Sequence, residues 1–186
     1  MIRVEAVKTK KDLTSFIDFP HELYAGDSNY VPELFIAQRD LLSPGKHPFH
    51  EHSSLQCFLA YDEKNKLKGR IAAIDNKNHN TFNKVNDGFF GFFDCVNDKE
   101  VANALLDKAK EWLKEKKLST MIGPAKPSTS KPTGSLVEGF AGPIMVDNFF
   151  SCNHSFALSS KALATSLSFT QSKNPKNPSL TLLKVL

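Results

Sequence analysis

The sequence predicts a mixed α/β domain built on one sheet, and three observations carry that prediction. Residues 2–7 (IRVEAV) alternate as a strand does, and Leu55–Tyr61 and Leu67–Ile74 flank the polar turn Asp62–Lys66 as the arms of a hairpin do. Directly after the aromatic run Gly88–Val96, residues Val101, Leu105, Ala109 and Trp112 repeat at helical spacing. At 186 residues, 40% of them hydrophobic, the chain is long enough for one domain with a sizeable core.

In chain order, Thr9 with Asp12 three residues on makes a capping box, and Leu13, Phe16, Ile17, Leu23 and Tyr24 share one face of the helix that follows. Pro20 is expected to kink this helix and Gly26 to end it. A short amphipathic helix through Leu34, Phe35, Gln38 and Leu41 comes next, then a loop from Ser43 to Ser54. After the hairpin, GFFGFFDCV is dense enough in aromatics for a strand buried on both faces. Asn97 with Glu100 reads as a second capping box, and Leu118–Ile122 as a strand stopped by Gly123-Pro124. Leu136–Phe140 and Ile144–Val146 are further short apolar runs. The predicted order is β, α, α, β, β, β, α, β, without an internal repeat.

Charge and cysteine content exclude several function classes. The net charge of +4 arises wholly from Lys161, Lys173, Lys176 and Lys184, because residues 1–147 hold 20 basic and 20 acidic side chains. A neutral body lacks the basic face that tracks phosphates, so nucleic acid is not the expected partner. Cys57, Cys95 and Cys152 are widely spaced, which suits reduced thiols rather than a disulfide framework or a zinc clip. No apolar run is long enough for a membrane span, and none near Met1 resembles a signal peptide, so the expected location is the cytoplasm. His47, His50 and His52 with Glu51 (HPFHEH) do not have the spacing of a metal box, and no metal is expected there. His79, in a polar stretch, reads as a solvated side chain, and Cys95 as a packed thiol.

The element order resembles the GNAT acyl-CoA N-acyltransferase fold. The strings FIDFPHELY, GDSNYVPEL, HPFHEH, GRIAAIDN, GFFGFFDCVND and GPAKPST resemble blocks of a bacterial family of uncharacterised GNAT-like proteins, over residues 1 to about 147. The resemblance implies acyl transfer from acetyl-CoA or another acyl-CoA, as co-substrate, to the amine or hydroxyl of a small-molecule acceptor. It also implies a pyrophosphate site on the turn that opens the helix after the fourth strand, here Cys95, Val96, Asn97 and Lys99. A helix start suits phosphate through its unpaired N–H groups and partial positive charge. The usual Gly-rich turn is absent, and Asp98 and Glu100 equally fit plain helix capping.

By the same analogy Asp94, leaving the aromatic strand, is the candidate general base, with the reading that it merely ends the strand left open. Gly91 would permit a bulge whose N–H steadies the oxyanion. Glu51 and His52 are candidates for the substrate mouth. The expected domain covers residues 1–156. Residues 157–186 form a basic, Ser-rich tail expected to be poorly ordered, since 148–186 contain no acid but eight serines. A change of reading frame near residues 154–161 would account for that tail. A non-catalytic GNAT-fold binding module, or a truncated family member, is the competing function, and a homo-oligomer is compatible with either.

Overall fold

A computed structural model describes residues 1–28, 30–125 and 127, and the backbone of 145–146 and 149–150. The run 136–140, the tail 157–186 and the proposed frame change lie outside the described residues. Strand β1 (Arg3–Ala6) leads into helix α1 (Lys10–Leu23), and Thr9 caps it as its spacing predicts. Thr9 Oγ1 accepts from Asp12 N at 3.1 Å, and Asp12 Oδ2 accepts from Thr9 N at 2.9 Å. The helix runs through Pro20 to Leu23 and stops short of Gly26, with Tyr24 as its C-cap.

Helix α2 (Phe35–Leu42) buries Gln38 and Leu42 while leaving Leu34 and Ile36 exposed, so its inward face is one step rotated from the expected one. The stretch expected to be loop holds one helical turn, α3 (Phe49–His52), with Pro48 as its N-cap. Proline fits there because a first-turn N–H has no intrahelical acceptor to lose.

Strands β2 (Ser53–Tyr61) and β3 (Leu67–Asn76) pair antiparallel around the Asp62 turn, and β4 (Asp87–Cys95) adds to β3 in the same sense. Between β3 and β4 lies a further unpredicted helix, α4 (Lys77–Asn83), capped by Asn76, whose Oδ1 accepts from His79 N. His79 is not a solvated side chain. Its ring packs edge-on to Phe89 with centroids 4.9 Å apart, and Nε2 lies 3.7 Å from Asp87.

Helix α5 (Lys99–Glu115) then crosses the sheet and delivers β5 (Thr120–Ile122), which pairs parallel to β4. Its N-cap is Asp98, whose Oδ1 accepts from Glu100 N at 2.8 Å, and not Asn97 as the Asn97/Glu100 spacing suggested. Strands β6 (Met145–Val146) and β7 (Phe149–Phe150) form a separate two-stranded pair. The main sheet has the order β1-β2-β3-β4-β5.

Alternation distributes the strand residues between two cores. Phe58, Ala60, Ile71, Ala73, Phe90 and Phe93 pack against Val101, Leu105, Ala109 and Leu113 of α5. On the opposite face Cys57, Leu59 and Ala72 meet Phe16 and Ile17 of α1 and Leu42 of α2. Helices on both faces explain why β3 and β4 read as nearly continuous apolar runs.

Candidate active site

The two faces carry different chemistry because β4 contains a bulge. Ala72 pairs with Gly91 and Arg70 with Asp94, so two residues of β4, Phe92 and Phe93, oppose the single residue Ile71. Phe92 adopts φ +49°, which places the irregularity one residue after Gly91, the position that chain flexibility had suggested. The extra residue reverses side-chain parity. Phe90, Phe93 and Cys95 face α5, Phe92 joins the α1 core, and Asp94 is thereby turned toward α1.

There Asp94 meets Arg70 of β3. Arg70 Nε donates to Asp94 Oδ2 at 2.7 Å, with the two side chains only 7% and 9% exposed. Tyr24 Oη donates to Asp94 Oδ1 at 3.1 Å, so both carboxylate oxygens are engaged. Arg70 Nη1 donates to the Phe16 carbonyl at 2.7 Å, and its guanidinium lies over the Phe16 and Phe92 rings at 5.0 and 5.7 Å.

Pro20 explains that carbonyl. In a helix Phe16 O would accept from the N–H four residues on, and proline has none. The freed acceptor is taken by Arg70, which converts a helix defect into the anchor of a buried charge. The sequence contained the signal, since a proline inside a capped, periodic helix marks an orphan carbonyl four residues earlier.

Beside this cluster stands His21, one turn before Tyr24. Its ring stacks on Phe35 at 4.3 Å, and Nδ1 lies 3.2 Å from Tyr30 Oη. Burial, aided by the Arg70 charge, holds the imidazole below its ordinary pKa, against the pull of Asp18, Glu33 and Asp94.

The other sequence candidates are more exposed. Asn97, Asp98, Lys99 and Glu100 are all at the surface, whereas the Cys95 side chain is fully buried against α5 and could offer a ligand only backbone groups. Glu51 and His52 sit exposed on α3, 3.7 Å apart, with no hydrogen bond or ion pair to Asp94. His47, His50 and His52 diverge: His50 Nε2 is 2.9 Å from Leu41 O, and His47 Nδ1 accepts from Phe49 N. Among the described residues no three His, Cys, Asp or Glu side chains gather as metal ligands would.

The β4–β5 ladder spans only Asp87–Phe89 of β4 and Thr120–Ile122 of β5. One further bond, Ala125 N to Phe90 O at 2.8 Å, follows it. Beyond Phe90 the described part of β5 supplies β4 with no paired residue. The order βααβββαβ, with α3 and α4 as short additions, is the one that carried the resemblance, and the structure closes it with a parallel β4–β5 pair. The fold is GNAT-like.

Comparison with known proteins finds relatives at the level of sequence. No protein-family model matches the chain. It is 36% identical over 141 residues, 75% of its length, to Protein YghO of Escherichia coli (strain K12). It is likewise 36% identical over 146 residues, 78% of its length, to a bacterial ceramide synthase of Caulobacter vibrioides. The chain spans 35% and 38%, little more than a third, of the lengths of these two relatives.

Among solved structures, a GNAT-family acetyltransferase from Staphylococcus aureus covers 66% of this chain, and 71% of its own chain, at 16% identity and a TM-score of 0.45. A GCN5-related N-acetyltransferase from Kribbella flavida covers 65%, and 70% of its own chain, at 17% identity and a TM-score of 0.44.

The α5 start can be tested against the pyrophosphate site that the sequence resemblance implied. The Asp98 carboxylate already occupies the first-turn donor of Glu100, and it adds a negative charge where a pyrophosphate would lie. The turn therefore fits a phosphate less well than an uncapped helix start does, with Lys99 as its cation.

Proposed function

We propose that the chain transfers an acyl group from acetyl-CoA or another acyl-CoA to the amine or hydroxyl of a small-molecule acceptor, in the cytoplasm and with no nucleic-acid partner. The observation that carries this reading is the β4 bulge at Phe92–Phe93, adjoining the point where the β4–β5 ladder ends. A bulge leaves one residue outside the ladder, so its N–H is available to a thioester carbonyl and can steady the oxyanion formed there. Similarity to a ceramide synthase, named for a product that is an N-acylated amino alcohol, supports nitrogen as the nucleophile.

Within this reading the acyl-CoA pantetheine runs along Phe92–Cys95, and its phosphates meet Lys99 and the amides of Val96 and Asn97. Glu51 and His52 would border the acceptor entrance. Asp94 is the carboxylate closest in sequence to the bulge, and we retain it as the candidate proton acceptor. For that role, one of its two hydrogen-bonded oxygens must exchange a partner for the acceptor.

The capped α5 start favours a second reading, a GNAT-like module that binds a partner and performs no transfer. Thermal shift against CoA and acetyl-CoA separates the two. A ligand at about 100 times its Kd adds about 2.7 kcal/mol to stability, a shift of several degrees. Lys99→Glu should abolish that shift and Lys114→Glu should not, since it lies roughly 22 Å further along the helix by its rise per residue. No shift from either ligand at millimolar concentration would remove the acyltransferase reading.

A further inference from the structure

Buried polar atoms without partners are rare in folded proteins, and each calls for an explanation. Among the described residues two side-chain atoms are of this kind, His21 Nε2 and Gln38 Oε1. Gln38 is only 3% exposed. Both belong to one region. Phe35 of α2 stacks on the His21 ring, and Gln38 follows Phe35 by three residues, on the same face of that helix. Helical side chains lean toward the N-terminus, which tilts Gln38 over the turn that carries Phe35, and Phe35 stacks on His21.

The chemistry of the two atoms selects a ligand. Gln38 Oε1 can only accept a hydrogen bond. If His21 Nδ1–H donates to Tyr30 Oη, Nε2 carries a lone pair and is an acceptor too. A molecule that satisfies both must bring at least two donors from one end. A primary amine or amino alcohol does so, whereas a carboxylate or phosphate brings none. The carboxylates of Asp18, Glu33 and Asp94 lie close enough to act on His21, which favours a cationic head despite Arg70.

We propose that His21 Nε2 and Gln38 Oε1 form the polar end of a binding site between α1 and α2 for a primary amine or amino alcohol. That this ligand is the acyl acceptor rests on the proposed function. The site itself does not.

The test uses octylamine as the donor-bearing probe and octanoate as the same chain without an amine. Each is titrated into the full chain while the His21 ring resonance is followed by NMR. Octylamine should move the His21 signal saturably and octanoate should not. Gln38→Met should weaken octylamine binding about tenfold while leaving the melting temperature equal to or above that of the wild type, because a buried unpaired oxygen is removed. His21→Phe keeps the stack on Phe35, guarding against loss of fold, and should weaken octylamine binding equally, read there from the Tyr30 ring resonances.

Equal responses to octylamine and octanoate, or octylamine affinity within twofold of wild type in Gln38→Met, would overturn the site. An acetyl-CoA thermal shift on the same samples separates the two claims. If that shift persists while the amine site fails, the acyl-CoA reading stands and the acceptor binds elsewhere. If it is absent while octylamine behaves as expected, the amine site stands alone.

Discussion

Replacing Asp94 by Asn tests whether the Arg70–Asp94 pair is as buried and as interdependent as the geometry states. The pair is 2.7 Å long, and neither side chain exceeds 9% exposure. Removing one charge of such a pair leaves the other desolvated and uncompensated, at a cost of about 3–5 kcal/mol. Asparagine keeps one carbonyl acceptor for Arg70 or Tyr24, which places the expected loss near the lower end. At roughly 4 °C per kcal/mol for a domain of this size, the melting temperature should fall by about 12 °C.

The double variant Arg70→Met/Asp94→Leu removes both charges. It should recover part of the loss, although the Phe16 carbonyl then lacks the donor that Pro20 cannot supply. Thermal unfolding followed by circular dichroism on the two single variants and the double gives the coupling energy directly. A fall of less than about 3 °C in Asp94→Asn, or strict additivity in the cycle, would show the pair to be solvated and the argument wrong. The same variant addresses catalysis only where it is still folded. A drop in kcat well over tenfold with KM unchanged, measured below its melting transition, would then support Asp94 as proton acceptor.

Gly91→Ala should destabilise the domain by at least about 2 kcal/mol, because the added Cβ overlaps the backbone carbonyl of Ala125, with its carbonyl carbon at 3.0 Å. An unchanged urea midpoint would mean that the chain after β5 does not pack on β4 at Gly91. Burial pushes the Cys57 thiol up to about 12. Native protein at pH 8 should therefore leave Cys57 unmodified by iodoacetamide until it is unfolded, as peptide mass analysis would show. His21 titrates below its ordinary value of 6.5 in the fold, so its contribution to stability is complete above that value and declines as pH falls beneath it. His21→Gln should flatten the stability profile between pH 6.5 and 4.5, and an identical slope in both proteins would count against a buried neutral imidazole.

Most of the scaffold was legible because its signals are local. Thr9 and Asp12 fix one helix start within four residues, and the spacing of Val101, Leu105 and Ala109 needs only α5 itself. The hairpin is legible for the same reason, with Asp62 Oδ1 accepting from Lys64 N and Lys66 N in its turn. What local patterns missed are the short helices α3 and α4, single-turn or two-turn pieces whose stability comes from neighbours such as Phe89 beneath His79. The α5 cap was misplaced by one residue because Asn97 and Asp98 are both good caps, and only backbone geometry decides between them. Of the site, Asp94 was visible from its place at the end of an aromatic strand. Arg70, Tyr24 and His21 were not, since they reach the cluster from β3 and from the end of α1, with Arg70 lying 24 and Tyr24 lying 70 positions from Asp94.

The bulge ties these separate elements into one site. With regular alternation from Phe90 onward, Asp94 would point toward α5, among Leu105 and Leu113, and Arg70 would face α1 alone. The bulge sets Phe92 and Phe93 opposite the single residue Ile71, so that Asp94 pairs with Arg70 and faces α1. In the proposed reading the same bulge supplies the oxyanion donor. Deleting Phe92 would separate the two: Phe93 alone would oppose Ile71 and Asp94 would still pair with Arg70 on the α1 face, while the bulge and its donor would be lost. A point substitution at Phe92 that keeps chain length, such as Phe92→Leu, should preserve parity and the Arg70–Asp94 pair while weakening only the contact with Phe16. The difference between those two variants, and not the severity of either, is what distinguishes a bulge that organises the site from one that is incidental to it.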